Sequence, residues 1–299
     1  LSWSTYIDSI LAKAYKKLGL LKKLQFKVSH KTLSVLYTTF IRPHLEYACE
    51  VWSGCSNRDC DKLEKLQLAA ARIVTGLTLL ASRDSLYFET GWEPLADRRR
   101  TKIRSVMYKI HYNMVPEYLQ NIMPNIRSKE SMYVTRQSQN YNIPKSRLNI
   151  YKSSFVPKAI DEWNAIPLEI RQSSTLASFK NSLNTLKPTR PLYFSHGERY
   201  WNIIHTRLRH NCVLNIDLFR CNIIDSPLCS CGKPEDTYHY FFNCNKYAIQ
   251  RNELFNSIFR MKNLCLVNTH VLLWGDNSLN DLENKHLFQF VQLFIKNFW

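Results

Sequence analysis

Apolar residues recur along the first 80 positions at the spacing of a helix face, and that repeat limits the fold more than any other feature of the chain. From Ser4, expected as an N-cap, Ile7, Ile10, Leu11, Ala14 and Leu18 fall at i, i+3, i+4, i+7 and i+11. A second helix is expected from a Ser29 cap through Leu33, Leu36, Tyr37, Phe40 and Ile41. Pro43 should interrupt or restart it, with Leu45, Ala48 and Trp52 continuing the pattern. Leu63, Leu66, Ala70, Ile73 and Val74 form another helix, and Gly76 stands where a C-terminal cap belongs. These segments read as a small helical bundle.

Glycine narrows the function classes. Seven of 299 residues is about 2%, against a typical usage of about 7%. No two glycines lie two or five apart, so neither a dinucleotide fingerprint nor a P-loop can be built by the usual backbone approach. No H-E-x-x-H or G-x-S-x-G occurs, and no pair of adjacent aspartates. No apolar run reaches the roughly 18 to 20 residues of a membrane span, and the start lacks a signal-peptide layout. An intracellular protein, nuclear or cytoplasmic and not secreted, is expected. In that reducing setting clustered cysteines are more often metal ligands than disulfides.

Further along, residues 98 to 113 read as a helix with Ile103, Val106, Met107 and Ile110 inside. Its opening Arg98, Arg99 and Arg100 oppose the helix dipole. Either the helix starts earlier, near Pro94, or these arginines serve a partner outside the fold. Residues 128 to 154 lose the periodicity and read as loop or short strands, and helical texture returns at 158–164 and from Ser174 to Leu186. Lys187, Pro188, Thr189, Arg190 and Pro191 mark a boundary, since two prolines block helix continuation. Helices are expected at about 198–209 and 246–260 and from about 279, the last ending at Phe298 and Trp299. The organisation expected is a helical bundle at 1–125, a mixed linker region at 126–187, and a small helical domain with a Cys/His knuckle at 188–299, truncated at its end. The fold class is mainly α.

The densest chemical signal is Cys229, Cys231, His239 and Cys244, a C-x-C-x7-H-x4-C spacing with Gly232 at the turn. Three Cys and one His close a zinc tetrahedron without leaving a position for water, so the expected role is structural. The competing reading is three buried small side chains and a core histidine; Cys212 and Cys221 are substitute ligands. Beside the knuckle, Tyr240 is the expected base-stacking ring, while Phe241 and Phe242 are expected in the core.

A formal charge of +17, from 41 Lys and Arg against 24 Asp and Glu, points to an anionic partner. Of that, +12 lies in residues 1–150. Lys13, Lys16, Lys17, Lys22, Lys23 and Lys27 fall within fifteen residues without an interleaved acid. Arg199, Arg207, Arg209 and His210 flank Trp201, Ile204 and Leu208 on one short helix. Both runs are expected to face phosphate, with a solvated surface as the competing reading.

Several phrases resemble one family. Leu1-Ser-Trp3, Lys13-Ala-Tyr-Lys-Lys-Leu-Gly19, Tyr37-x-x-Phe40-Ile-Arg-Pro-His-Leu-Glu-Tyr-Ala48, Val51-Trp52, Ala71-Arg-Ile-Val-Thr-Gly76 and Trp92-x-Pro94-Leu95-x-x-Arg98-Arg99 are similar to the segment after the palm in reverse transcriptases of non-LTR retrotransposons, the jockey-like group above all. Trp163-Asn164-x-x-Pro167, Phe179-Lys180 and the knuckle with Tyr247 and Arg251 resemble the end of the same transposable-element reading frames. The resemblance implies a thumb over 1–125 that grips primer-template duplex, then a linker and knuckle that help bind element RNA or target DNA. It implies a parent RNA-directed DNA polymerase whose upstream palm and fingers hold the Tyr-x-Asp-Asp box and the Mg ions. No such box occurs in these 299 residues, so the segment is expected to be inactive alone. The alternatives are a zinc-stabilised protein-interaction scaffold derived from such an element, for which an exposed apolar patch at Phe288, Val291 and Ile295 would speak, or a non-functional degenerate copy.

Overall fold

The computed structural model describes residues 3–127, 139–145, 147–183, 190–261, 264 and 266–297. Lys187, Pro188 and Thr189 of the expected linker, Phe298 and Trp299, and much of the expected loop at 128–154 lie outside them. The protein is mainly helical. Among the described residues there is no strand, and pairing is confined to two isolated antiparallel bridges, Ile126 with Tyr141 and Leu228 with Pro234.

The first helix, Ser4–Lys23, buries Ile7, Ile10, Leu11, Ala14, Leu18 and Leu21 along one face. Ser4 lies inside it instead of capping it, and its hydroxyl donates to Asp59 at 2.8 Å. Ser29 does cap the His30–Leu36 helix, accepting from the Thr32 N–H at 3.2 Å. Pro43 has no N–H for the carbonyl four residues back, and the chain widens to a π turn at Tyr37–Ile41 before the short Arg42–Glu46 helix. Beyond Glu46 the helical pattern does not continue: Ala48 sits at φ 48°, in the left-handed region, and turns carry the chain to the next helix. The Asn57–Thr75 helix ends as expected at Gly76, whose φ of 76° suits a residue without Cβ.

Two compact units interleave along the chain. One comprises Leu1–Lys16, Phe40–Gln67 and Glu93–Pro188; the other comprises Lys17–Thr39, Leu68–Trp92 and Thr189–Trp299. The segment 1–125 supplies residues to both.

In the first unit the Leu95–His111 helix starts directly after Pro94, with Asp97 in its first turn. The arginine triplet therefore stands one turn inside the helix, where the dipole no longer opposes it. Ile103, Met107 and Ile110 share a core with Ala159, Ile160 and Trp163 of the Phe155–Asn164 helix and with Phe179 of the Leu176–Leu183 helix. Trp163 is fully buried, and truncating such a ring to alanine costs about 3–5 kcal/mol. Asn164 fastens the irregular segment, accepting from the Tyr141 N–H at 3.1 Å and donating to its carbonyl at 3.0 Å.

The second unit has an aromatic core built by the Arg199–Arg209, Ala248–Ile258, Thr269–Trp274 and Asp281–Lys296 helices. Asn280 and Glu283 form a reciprocal capping box at the start of the last helix. Phe288, Val291 and Ile295, named as a possible docking patch, are all fully buried in this core.

Candidate metal centre and basic surface

Cys229, Cys231, His239 and Cys244 come together. One ligand atom from each lies within 4.8 Å of all the others. Cys229 Sγ is 3.6 Å from Cys244 Sγ, and Cys231 Sγ is 3.2 Å from His239 Nε2. Zinc–sulfur bonds of about 2.3 Å in a tetrahedron put sulfurs about 3.8 Å apart, so the four residues fit a Cys3His site with little movement. Cys212 and Cys221 stay outside the cluster.

Local sequence explains the convergence. The Gly232 N–H donates to the Cys229 carbonyl at 2.9 Å and the Cys229 N–H to the Lys233 carbonyl at 2.8 Å, which folds a tight turn about Gly232 at φ 85°. Asp236 accepts from the His239 N–H at 2.7 Å and so starts the turn His239–Asn243. The Cys244 N–H returns to the His239 carbonyl at 2.8 Å, bringing the last ligand back to the first. Arg251, one turn into the next helix, donates to the Cys244 carbonyl at 2.9 Å.

The Lys233 N–H beside Cys231 lowers that thiol from its ordinary value, which favours the ligating thiolate. Burial pushes the Cys244 thiol up to about 11. A divalent cation would overturn that, since coordinating thiols are deprotonated outright. Cys229, His239 and Cys244 are buried and Cys231 is exposed, so the cluster has one wet edge.

Tyr240 does not serve as a stacking platform. It is 1% exposed and packs edge-on against Phe241, Tyr247 and Phe294. Residues His239–Asn243 form a helical turn; Phe242 is half-buried against the core as expected, while Tyr238, four residues before it, stands outside. Their rings stack at 5.3 Å, and Tyr238 is 57% exposed. Tyr238 is the accessible ring that sequence reasoning passed over; the i, i+4 pair was its only signal.

Of the arginines assigned to phosphate, Arg99 and Arg209 are buried, Arg98, Arg199 and Arg207 are half-buried on partners in the fold, and Arg100 stays exposed. Arg199 donates to the carbonyls of Gln25, Ile73 and Val74, and Arg207 donates to that of Gly76 at 2.8 Å. Together they satisfy carbonyls that the end of the Asn57–Thr75 helix leaves without intrahelical donors. Arg209 is buried against Glu89 and the Leu273 carbonyl, and His210 meets Glu89 at 3.0 Å. In the first unit Arg98 makes a two-point pair with Glu46, while Arg99 is buried over the Trp52 ring at 5.8 Å. Arg100 reaches Asp97 and Glu162, each at 3.2 Å. Charge along a sequence does not say which cations the fold consumes: Arg98 finds Glu46 from 52 residues away and Arg209 finds Glu89 from 120.

The lysines differ. Lys13, Lys16, Lys22, Lys23 and Lys27 are exposed and Lys17 is half-buried. Lys22 and Lys23 also complement the dipole at the end of the first helix. No described helix is long and apolar enough to cross a membrane.

No protein-family model matches the chain, and comparisons with curated proteins and with solved structures give no significant match.

Proposed function

We propose that the chain is the nucleic-acid-binding thumb, linker and knuckle portion of a reverse transcriptase from a jockey-like non-LTR retrotransposon, with zinc holding the knuckle. The exposed lysine run from Lys13 to Lys27 carries this reading: five cations stand in solvent in fifteen residues that contain no acid. Such a row attracts a phosphate backbone without reading base sequence, and its affinity comes from released counterions. Tyr238, stacked on Phe242 beside the knuckle, offers a face for an unpaired base. Polymerisation would belong to the parent's upstream palm, with its own Mg ions. The family resemblance of the quoted phrases supports the parentage.

Fluorescence anisotropy with a primer-template duplex and with single-stranded RNA, run from 50 to 200 mM salt, tests the reading. Affinity should fall steeply with salt, and replacing Lys16, Lys22 and Lys23 by Gln should flatten the slope by about 0.9 for each duplex phosphate contact removed. Affinity unchanged across that range would refute it.

A further inference from the structure

Two cysteines that play no part in the metal cluster sit together at the start of the Asn57–Thr75 helix. Cys55 Sγ and Cys60 Sγ are 3.3 Å apart, both half-buried and both free. The backbone holds them there. The Cys55 N–H donates to the Trp52 carbonyl at 3.0 Å, and the Cys60 N–H donates to the Ser56 carbonyl, also at 3.0 Å. Ser56 in turn accepts from the Asp59 N–H at 3.2 Å and donates to the Asp59 carboxylate at 2.8 Å, fixing the first helical turn between the two sulfurs. A disulfide needs about 2.05 Å between sulfurs, so side-chain rotation of about 1 Å closes the gap without remaking the turn.

We propose that Cys55 and Cys60 are a dithiol modification site that closes to an intramolecular disulfide by exchange with a low-molecular-weight disulfide, Cys60 attacking and Cys55 resolving. The Cys60 thiolate attacks one sulfur of the small disulfide and expels one small thiolate, leaving a mixed disulfide on Cys60. Cys55 then gives up its proton to solvent and attacks the Cys60 sulfur, expelling the second small thiolate. Two electrons pass from the cysteine pair to the small disulfide, which leaves as two thiols.

The surroundings assign the order. The hydrogen bond from Cys55 outweighs burial, and with the Arg99 and Lys158 charges it brings the Cys60 thiol down to about 6. The same hydrogen bond, with burial, pushes Cys55 upward. The attacking group is thus the thiolate and the resolving group its proton-holding neighbour. Cys49 makes the contrast: it is fully buried, and burial pushes its thiol up to about 12. Closing the bond removes a negative charge facing Arg99, whose guanidinium Nη1 is buried without a hydrogen-bond partner. The site stands apart from the nucleic-acid reading and does not depend on it.

The test is peptide mapping of the reduced full chain after exposure to glutathione disulfide at neutral pH, with free thiols then alkylated. Arg58 lies between the two cysteines, so trypsin separates them and a disulfide leaves peptide 32–58 joined to peptide 59–62. The joined pair should appear at least about tenfold faster than any other cysteine link, and Cys49→Ser should leave it intact. In Cys55→Ser the glutathione adduct on Cys60 should persist, because its resolving partner is gone. A link through Cys49, a persistent Cys60 adduct in the unaltered chain, or alkylation of exposed Cys221 without any oxidation at Cys55 and Cys60 would each overturn the proposal. Peptide 32–58 also carries Cys49, so fragmentation of the joined pair from the unaltered chain places the link at Cys49 or Cys55 and decides the matter even where a variant folds poorly.

Discussion

Arg209 and Glu89 form an ion pair in which each side chain is about 1% exposed. The guanidinium also lies 3.6 Å over the centre of the Phe194 ring, so one face meets π density while its edge meets the carboxylate. Arg190 reaches the other carboxylate oxygen at 2.7 Å. Burial alone would raise Glu89, but Arg209, His210 and Arg190 outweigh it and hold the carboxyl well below its usual range.

Glu89→Gln should therefore be among the most destabilising single substitutions in the second unit. It strands two cations that the core has taken out of water, at a cost of about 3–5 kcal/mol. Urea denaturation measures it. Adding Arg209→Met to Glu89→Gln should recover part of the loss; two independent, additive losses would show that the pair is not coupled.

Stability should also fall with mild acid through His205. Its ring is sealed in the core against Phe288 with Nε2 3.1 Å from the Leu272 carbonyl, and burial followed by Arg209 lowers it to about 3. Protonation near pH 6.5 is then open to the unfolded chain alone. The contribution is fully present above pH 6.5 and is lost as pH falls from there towards 3, by about 2 kcal/mol at pH 5. Urea midpoints at pH 7 and pH 5 for the protein and for His205→Gln should show a smaller pH difference in the variant.

Metal should bind the cluster at one ion per chain and raise the unfolding midpoint. An ion that binds only the folded state stabilises by about 2.7 kcal/mol at a hundredfold excess over its Kd. Metal analysis with Cys231→Ser and Cys244→Ser checks the ligand set. Full zinc content in both variants would remove these residues from the site.

Arg207 and Lys23 should separate stability from binding. Arg207→Gln removes a charged donor to the Gly76 carbonyl and should cost about 1.5–3 kcal/mol while leaving the salt dependence of duplex binding unchanged. Lys23→Gln should do the reverse, altering the salt slope with stability within about 0.5 kcal/mol. Paired denaturation and anisotropy curves give both readings.

Helical periodicity made most of the long helices legible, down to the Ser29 cap and the Gly76 stop, because a buried face repeats locally and needs no distant partner. The metal ligands were legible for the same reason: four residues in sixteen positions carry their own spacing. The Thr269–Trp274 helix was missed because six residues are too short for a repeat to emerge. The roles of Arg199, Arg207 and Arg209 were misread because Val74, Gly76 and Glu89 lie 120 or more residues away. Tyr240 was misread because the helical turn His239–Asn243 is too short for its buried face to show as a repeat.

Interleaving has a consequence for synthesis. Glu89 leaves the ribosome 120 residues ahead of Arg209. At about 5–20 residues per second that is a delay of roughly 6 to 24 s, far longer than a helix needs to form. During that interval the carboxylate that later anchors the core is still hydrated, and the aromatic cluster around Phe194 does not yet exist to enclose it. The nascent second unit is therefore an open half-site whose closure awaits the late-made cations Arg190 and Arg209.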